Sequence, residues 1–456
     1  MAKKNGMKKF AAAIILLFAG ICLSSCSPRI SAPDDPPNIL ILLVDSLRAD
    51  RLNDYGHFRN TNPFLSEFGK KGVRFTHAHS QSSHTKLSVA SLFTGMIPPL
   101  HKVRHVANPK WENQKNIMSD VLSDDMITLA EVLEEKGYST AALITNPHLR
   151  SFLGFSQGFK DYPYFPPAKY RAEDINEEAI QWLTKQPKRP FFLYIHYMDV
   201  HIPYDPPSEY KNLYTKKEGM RPIHRNGPYR RKITDEQVAY TKALYDAQIN
   251  YWDDCFRSLI ERMEKKEELK NTLIIILADH GEEFYDHGGF GHGLTLYEEE
   301  LLVPLYIIYE GYIPANRIES SPAQLIDIFP TVCHFLKIEE ADALTQGIDL
   351  FASDREKKNS VRMHYAETCA GEVPRSIQTN KFKLIFQSRS NDFQLFNLLD
   401  DPLEKTNLYR EDDPEAKQLK SSLFQLMNLG GNRSESETVV LDPETIKELK
   451  SLGYIK

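Results

Sequence analysis

The sequence predicts an α/β fold: a large, mostly parallel sheet flanked by helices, then a smaller C-terminal subdomain containing an antiparallel sheet. Three observations carry this prediction. Between Asn38 and Tyr309, apolar runs of strand length recur without polar alternation, the pattern of strands covered on both faces. Stretches with apolar residues every three or four positions alternate with those runs. After about Leu350 the texture changes to short alternating stretches with turn residues between them.

Taken in order, Ile39 to Val44 is the first such run, and it ends at Asp45. Thr128 to Lys136 reads as a short amphipathic helix stopped by Gly137, and Thr140 to Ile144 as the strand after it. Glu173 to Lys185 reads as helix and Phe191 to Tyr197 as strand. Thr234 to Lys266 is a long helix with one packing stripe of Val238, Tyr245, Ile249, Trp252, Phe256, Leu259 and Met263. Leu273 to Ala278 is a strand ending at Asp279, and Val303 to Tyr309 is another. Beyond Leu350, Phe382 to Phe386 and Phe393 to Phe396 read as antiparallel strands, Glu415 to Met427 as a helix, and the remainder as a charged tail.

The N-terminal residues are of another kind. Lys3, Lys4, Lys8 and Lys9 precede an apolar run from Phe10 to Ile21, too short to span a bilayer but the length of an export signal. Its Leu23-Ser24-Ser25-Cys26 ending resembles a bacterial lipobox. That implies cleavage before Cys26 and acylation of the cysteine, a stable anchor where several chains are attached. Ser27 fits outer-membrane sorting if the source is Gram-negative. The expected organisation is a lipoprotein signal peptide over 1–26, a Pro-rich tether over 27–37, a large catalytic domain over 38–350 and a C-terminal subdomain over 351–456. A formal net charge of -6 does not supply the basic face that nucleic acid requires. Cys255, Cys333 and Cys369 form no C-x-x-C pair and read as buried apolar thiols.

Ligands of open α/β sheets collect outside the carboxyl ends of the strands. Asp45 directly follows one buried strand and Asp279-His280 another, so two carboxylates and an imidazole reach one sheet edge, a donor set for a divalent cation. Alone, an Asp after a strand is an ordinary turn or cap residue. Here Asp279 also opens a loop carrying His280, His287 and His292 among five glycines, too polar to be a core segment. Glycine in such a loop lets backbone approach a ligand closely. His201, in HYMDVHIPY after the Phe191 strand, comes to the same edge. Between Ser82 and Gly95, hydroxyl residues precede a short helix whose free N–H groups and dipole suit an anionic ester.

In order and spacing, NILILLVDSLRAD, SHTKLSVASLFTG, HYMDVHIPY, LADHGEEFYDHGGFGHG, QLFNLLDDPLEKTNL and the closing LKSLGYIK resemble the sulfatase family of the alkaline phosphatase superfamily. The likeness covers nearly all of Asn38 to Lys456. It implies an alkaline-phosphatase-like fold and a metal-dependent hydrolase of sulfuric or phosphoric esters. It also implies Asp45, Asp279 and His280 as ligands of one divalent metal ion, with Ca, Mg, Mn and Zn all open. Thr85 falls where the family carries the Cys or Ser converted to formylglycine, and Ser88, Leu92, Thr94 and Gly95 keep the surrounding pattern. His201 matches a histidine at the ester or leaving group, and His292 lies where many sulfatases carry an anion-binding lysine.

The departures carry chemistry of their own. Leu87 and Val89 replace the Pro and Arg read by the formylglycine-generating machinery, Ser46 replaces a second Asp ligand, and Asn146-Pro147-His148 replaces a Gly-Lys-Trp-His segment. Thr85 cannot become formylglycine, because its β-methyl would yield a ketone. A threonine sulfate has no second hydroxyl to expel sulfate, whereas a threonine phosphate is open to attack at phosphorus. The expectation is a phosphate or phosphonate ester cleaved with Thr85 as nucleophile and His201 or His292 protonating the leaving group or stabilising charge. Thr-nucleophile relatives that transfer phosphoryl-linked groups on envelope substrates resemble the chain at Thr85, Asp279 and His280. The alternative expectation is a non-catalytic protein of the same fold that binds an anionic envelope polymer. The partners expected are an anionic ester, either a small molecule or an envelope glycan or lipid, and the membrane through Cys26. Nucleic acid is not among them.

Overall fold

The computed structural model describes residues 33–104, 117–185, 189–217, 219–223, 233–338, 344–355, 362–368, 374–430 and 437–455. The expected signal peptide, Cys26 and the first part of the tether lie outside the described residues, as does Cys369. Among the described residues, no helix is long and apolar enough to cross a membrane.

In chain order the strands are β1 (Asn38–Val44), β2 (Val73–His79), β3 (Met118–Asp120), β4 (Ser139–Leu143), β5 (Phe191–Tyr197), β6 (Thr272–Leu277), β7 (Glu283–Phe284) and β8 (Phe290–Gly291). They continue with β9 (Leu302–Ile308), β10 (Arg317–Glu319), β11 (Ala323–Gln324), β12 (His364–Glu367), β13 (Arg375–Gln378), β14 (Phe382–Gln387), β15 (Asp392–Asn397) and β16 (Thr438–Val440). The main sheet has eight strands in the order β10-β2-β9-β6-β1-β5-β4, with β11 beside β2. β1 lies at its centre with every residue buried, and Leu42 stands between Ile195 and Ile276 of its parallel neighbours. The unbroken apolar runs are explained by that position, since helices cover both faces. β9 runs antiparallel between β6 and β2, so the sheet is mostly parallel.

The long helix is Asp235–Lys265, capped by the reciprocal Thr234–Gln237 box. Its stripe is buried from Tyr245 to Met263, with Trp252 stacked on Phe256, while Val238 at the first turns is partly buried. Cys255 and Cys333 are buried. The antiparallel sheet β12-β13-β14-β15 follows as expected. One face, with Tyr365, Ile377, Leu384 and Leu395, packs under helix Pro414–Asn428 through Leu419 and Leu423. The other face, with Ala366, Ile385 and Phe396, packs on Leu296, Tyr297 and Leu301 of the catalytic region.

Two expectations are corrected. The charged tail is structured: β16 pairs antiparallel with β3, and helix Pro443–Ser451 docks on the main core through Leu449, Leu452, Tyr454 and Ile455. Its apolar residues keep helical spacing, but the lysines and glutamates between them obscure it. The histidine-rich loop, read as too polar for a core segment, is also largely buried. Glu283 turns inward and accepts from the backbone N–H groups of His287 and Gly289 (2.8 and 2.7 Å), which satisfies the polar groups of the β7–β8 hairpin.

Candidate active site

Because β6, β1, β5 and β4 are parallel, their carboxyl ends line one edge. β1 delivers Asp45, β4 Asn146, β5 His196 and His201, and β6 Asp279 and His280. β2 leads to the helix Thr85–Thr94 at the same edge. This helix ends at Gly95, whose φ of 65° and close approach to Thr345 leave no room for a Cβ.

Asp45, Asp279 and His280 are fully buried and offer donor atoms that all lie within 4.8 Å of one another. His280 Nδ1–H donates to Gly281 O (2.8 Å), which turns the Nε2 lone pair toward Asp279 Oδ2 (3.5 Å) and Asp45 Oδ1 (3.7 Å). A lone pair facing two carboxylates is repulsive unless a cation lies among them. Asp279 Oδ2 takes no hydrogen bond although it is buried. Burial, followed by the neighbouring Asp45, drives the Asp279 carboxyl well above the ordinary carboxylate range. Burial acts on Asp45 in the same sense, but His201, His280, His196 and the Asn146 amide outweigh it and hold that carboxyl low. The three residues therefore fit a divalent ion bound by two oxygens and one nitrogen.

Ser46, where the family has a further Asp, supports the pair instead. Its hydroxyl donates to Asp45 Oδ1 (2.9 Å) and its N–H to Asp279 Oδ1 (3.2 Å), from a backbone φ of 61° that side chains rarely adopt.

Thr85 is the first residue of its helix, and all ten helix residues are buried. Its Oγ1 lies 3.3 Å from Asp45 Oδ2, from His280 Nε2 and from Asn146 Nδ2. The helix is capped by the His84 ring, which accepts from Lys86 N–H (3.2 Å), and not by a hydroxyl. His201 and His292 also arrive here, with ring centroids 4.9 Å apart, and His292 is 4.4 Å from His280. His292 Nδ1 pairs with Glu282 Oε1 (2.9 Å). The third loop histidine is not brought in: His287 stacks on Tyr297 (3.6 Å) and bonds Glu299 and Glu404 O.

Two residues at the centre escaped sequence reasoning as participants. Asn146 Nδ2 donates to Asp45 Oδ2 (2.8 Å) as well as facing Thr85, and Tyr454 Oη lies 2.9 Å from His201 Nε2 and 3.1 Å from Asn146 Nδ2. An Asn-Pro step directly after a strand end was the available signal for Asn146. For Tyr454 there was only the resemblance of the closing segment.

A hydroxyl at a helix N-terminus, beside a carboxylate–carboxylate–imidazole cation site and two further imidazoles, is the apparatus of an ester hydrolase for anionic substrates. The chain belongs to the sulfatase family, hydrolases of sulfuric and phosphoric esters: the family model "Sulfatase" matches residues 37–338, and "N-sulphoglucosamine sulphohydrolase, C-terminal" matches 286–429. It is similar to an arylsulfatase of Clostridium perfringens, 23% identical over 83% of this chain and 91% of that protein. It is also similar to a choline-sulfatase of Rhizobium meliloti, 24% identical over 82% of each. In fold it matches the crystal structure of the phosphonate monoester hydrolase of Agrobacterium radiobacter, with a TM-score of 0.68 at 18% identity over 89% of this chain and all of that one.

Proposed function

We propose that the protein is a metal-dependent esterase of the envelope that cleaves a phosphate or phosphonate ester through Thr85. The observation that carries the reading is the placement of Thr85 Oγ1, 3.3 Å from both Asp45 Oδ2 and His280 Nε2 at a helix N-terminus. Asp45, Asp279 and His280 would hold the divalent ion, be it Ca, Mg, Mn or Zn. When bound it supplies the Lewis-acid charge that favours an ionised hydroxyl and a polarised ester.

Asp45 and Asn146 fix the Thr85 hydroxyl, which loses its proton to water and attacks phosphorus in line as the bond to the leaving oxygen breaks. The free N–H groups at the start of the Thr85 helix and the His292 imidazole face the anion. His201 lies on the leaving-group side, where a proton must be given to the departing alcohol. Attack by water on the threonine ester then restores Thr85, or attack by an alcohol transfers the group. The phosphonate monoester hydrolase of the same fold supports a phosphorus substrate, and the arylsulfatase and choline-sulfatase relatives support a sulfate. The chemistry of threonine decides for phosphorus.

The test is a paired assay on the protein from Ser27 onward, with metals added back singly. Nitrophenyl sulfate is compared with nitrophenyl phosphate, a phosphate diester and a phosphonate monoester. Turnover of phosphorus esters alone is expected. Clear sulfate turnover would refute the threonine reasoning, metal-dependent turnover of any ester would exclude the binding-protein alternative, and no turnover of any ester with any metal would leave it. Lipid anchoring through Cys26 is part of the same proposal. Cys26→Ser in the full chain should move the protein from the membrane to the soluble fraction, and unchanged membrane retention would remove the anchor.

A further inference from the structure

Of the imidazoles at the catalytic edge, His292 is the one set between two glycines of positive φ, Gly291 (95°) and Gly293 (81°). Such a backbone does little to direct the side chain it carries. Yet the ring is buried and closely placed, with its centroid 4.4 Å from that of His280 and 4.9 Å from that of His201. Its direction is set from outside its own loop.

Glu282 sets it. Gly281, just before it, packs so tightly on Glu299 O that a Cβ would stand 2.0 Å away. The N–H groups of Gly281 and Glu282 donate to Glu300 O (2.8 Å) and Glu299 O (3.0 Å). Arg48 donates to Glu282 O (2.8 Å) while also engaging Asp50 and Asp286. With its backbone fixed in this way, the Glu282 side chain turns inward and is completely buried. Its Oε1 lies 2.9 Å from His292 Nδ1, and the Tyr204 hydroxyl stands beside the same carboxylate. An ionised carboxylate accepts and does not donate, so Nδ1 carries the hydrogen and Nε2 is left on the far side of the ring. Gly281 O does the same for His280, whose Nδ1–H it takes at 2.8 Å. Two successive residues of one turn thus set two imidazoles to the same tautomer.

We propose that Glu282 is a positioning residue for the reaction: its buried carboxylate holds the His292 ring in one orientation and one tautomer, so that Nε2 is the atom that meets the ester. The carboxylate touches no substrate and acts only through the ring. Without it, the flanking glycines leave the ring free to turn, and either nitrogen can face the ester. The role rests on the ester-hydrolase reading above, with His292 at the anion, but not on the choice between phosphorus and sulfur.

The test compares variants on the ester that the wild type turns over best. Glu282→Ala should lower kcat/KM about 10–100-fold, the usual cost of removing the outer hydrogen-bond partner of a working imidazole. Should that variant not fold, Glu282→Met fills the space and removes the acceptor equally. Glu282→Gln keeps an acceptor oxygen at the same reach and should recover most of the loss. In a His292→Ala background, Glu282→Ala should cost no more than about twofold, because no ring is left to position. A full loss in that background, or a Gln variant as weak as the Ala one, would overturn the proposal. The metal-induced rise in melting temperature should survive in each variant. Its disappearance would make Glu282 a support of the cation site instead. If the wild type turns over no ester, the ester-hydrolase reading fails, and nitrogen-15 spectra of labelled histidine decide the positioning alone. The His292 signals, assigned by comparison with His292→Ala, should show a protonated Nδ1 and a bare Nε2 in the wild type and mixed tautomers in Glu282→Ala. Signals that stay the same would overturn it.

Discussion

Replacing Asp279 by Asn should make the metal-free protein more stable and the metal-loaded protein less so. Two carboxylates and an imidazole lone pair share a fully buried space in which donor atoms lie within 4.8 Å of one another. Two full charges at that separation would repel by about 3.5 kcal/mol at an effective dielectric near 20, and the raised Asp279 carboxyl relieves part of this by taking up a proton, so the remaining penalty is smaller. An amide at 279 removes that repulsion and still accepts from Ser46 and His280 N–H through its oxygen. A chain of this size has an unfolding entropy of roughly 0.9 kcal/mol per degree, so metal-free Asp279→Asn should melt about 1–3 °C above the metal-free wild type. An ion present at a hundredfold its Kd stabilises the wild type by about 2.7 kcal/mol, or about 3 °C. The variant, lacking one ligand, should not respond at that concentration. The assay is thermal unfolding after dialysis against a chelator, with Ca, Mg, Mn and Zn added back singly. Identical responses of wild type and variant to every ion would refute the assignment of Asp279 and the electrostatic reasoning behind it.

Three further outcomes are expected. Thr85→Ala should abolish turnover, a loss of about a thousandfold or more, while keeping the metal-induced rise in melting temperature; residual wild-type activity would remove Thr85 as nucleophile. Asp246 is completely buried and receives Arg51, Arg59 and His57 at 2.6–3.1 Å, so Asp246→Ala strands buried cations and should cost about 3–5 kcal/mol, read as a melting point several degrees lower. A change under one degree would contradict it. Burial pushes the His101 imidazole down from 6.5 to about 3, so the unfolded chain takes up a proton that the folded one refuses. Its contribution to stability is whole above about pH 6.5 and is lost as pH falls toward 3, about 1.4 kcal/mol by pH 5.5. His101→Asn should shrink the difference in stability between pH 7.5 and 5.5 by that amount in denaturant titrations, and an unchanged difference would exclude the effect.

The central strands were legible because burial on both faces leaves only apolar residues, and the chemistry stood directly at their ends. Asp45, Asp279, His280 and Thr85 came together because strand ends, unlike strand interiors, tolerate polar residues. Direction was not legible: Leu302–Ile308 has the same apolar texture as its neighbours yet runs antiparallel, since a run covered on both faces does not encode which way it points. The inward folding of the histidine-rich loop was hidden because its polar groups are satisfied by its own backbone, which no composition reveals. Asn146 and Tyr454 act through contacts with residues remote in sequence, so their local surroundings carried no more than an Asn-Pro step and a charged helix.

Tyr454 meets Asn146 across 308 positions and His201 across 253, and β16 closes on β3 from equally far away. Closures of that span carry the largest loop entropy and form late. The cation ligands close a span of similar length, since Ser46 meets Asp279 across 233 positions, but they need nothing beyond His280, whereas the Tyr454 contacts draw on the last helix. A chain cut before β16 would keep Asp45, Asp279, His280 and Thr85 yet lack the wall that Tyr454 builds against His201 and His148.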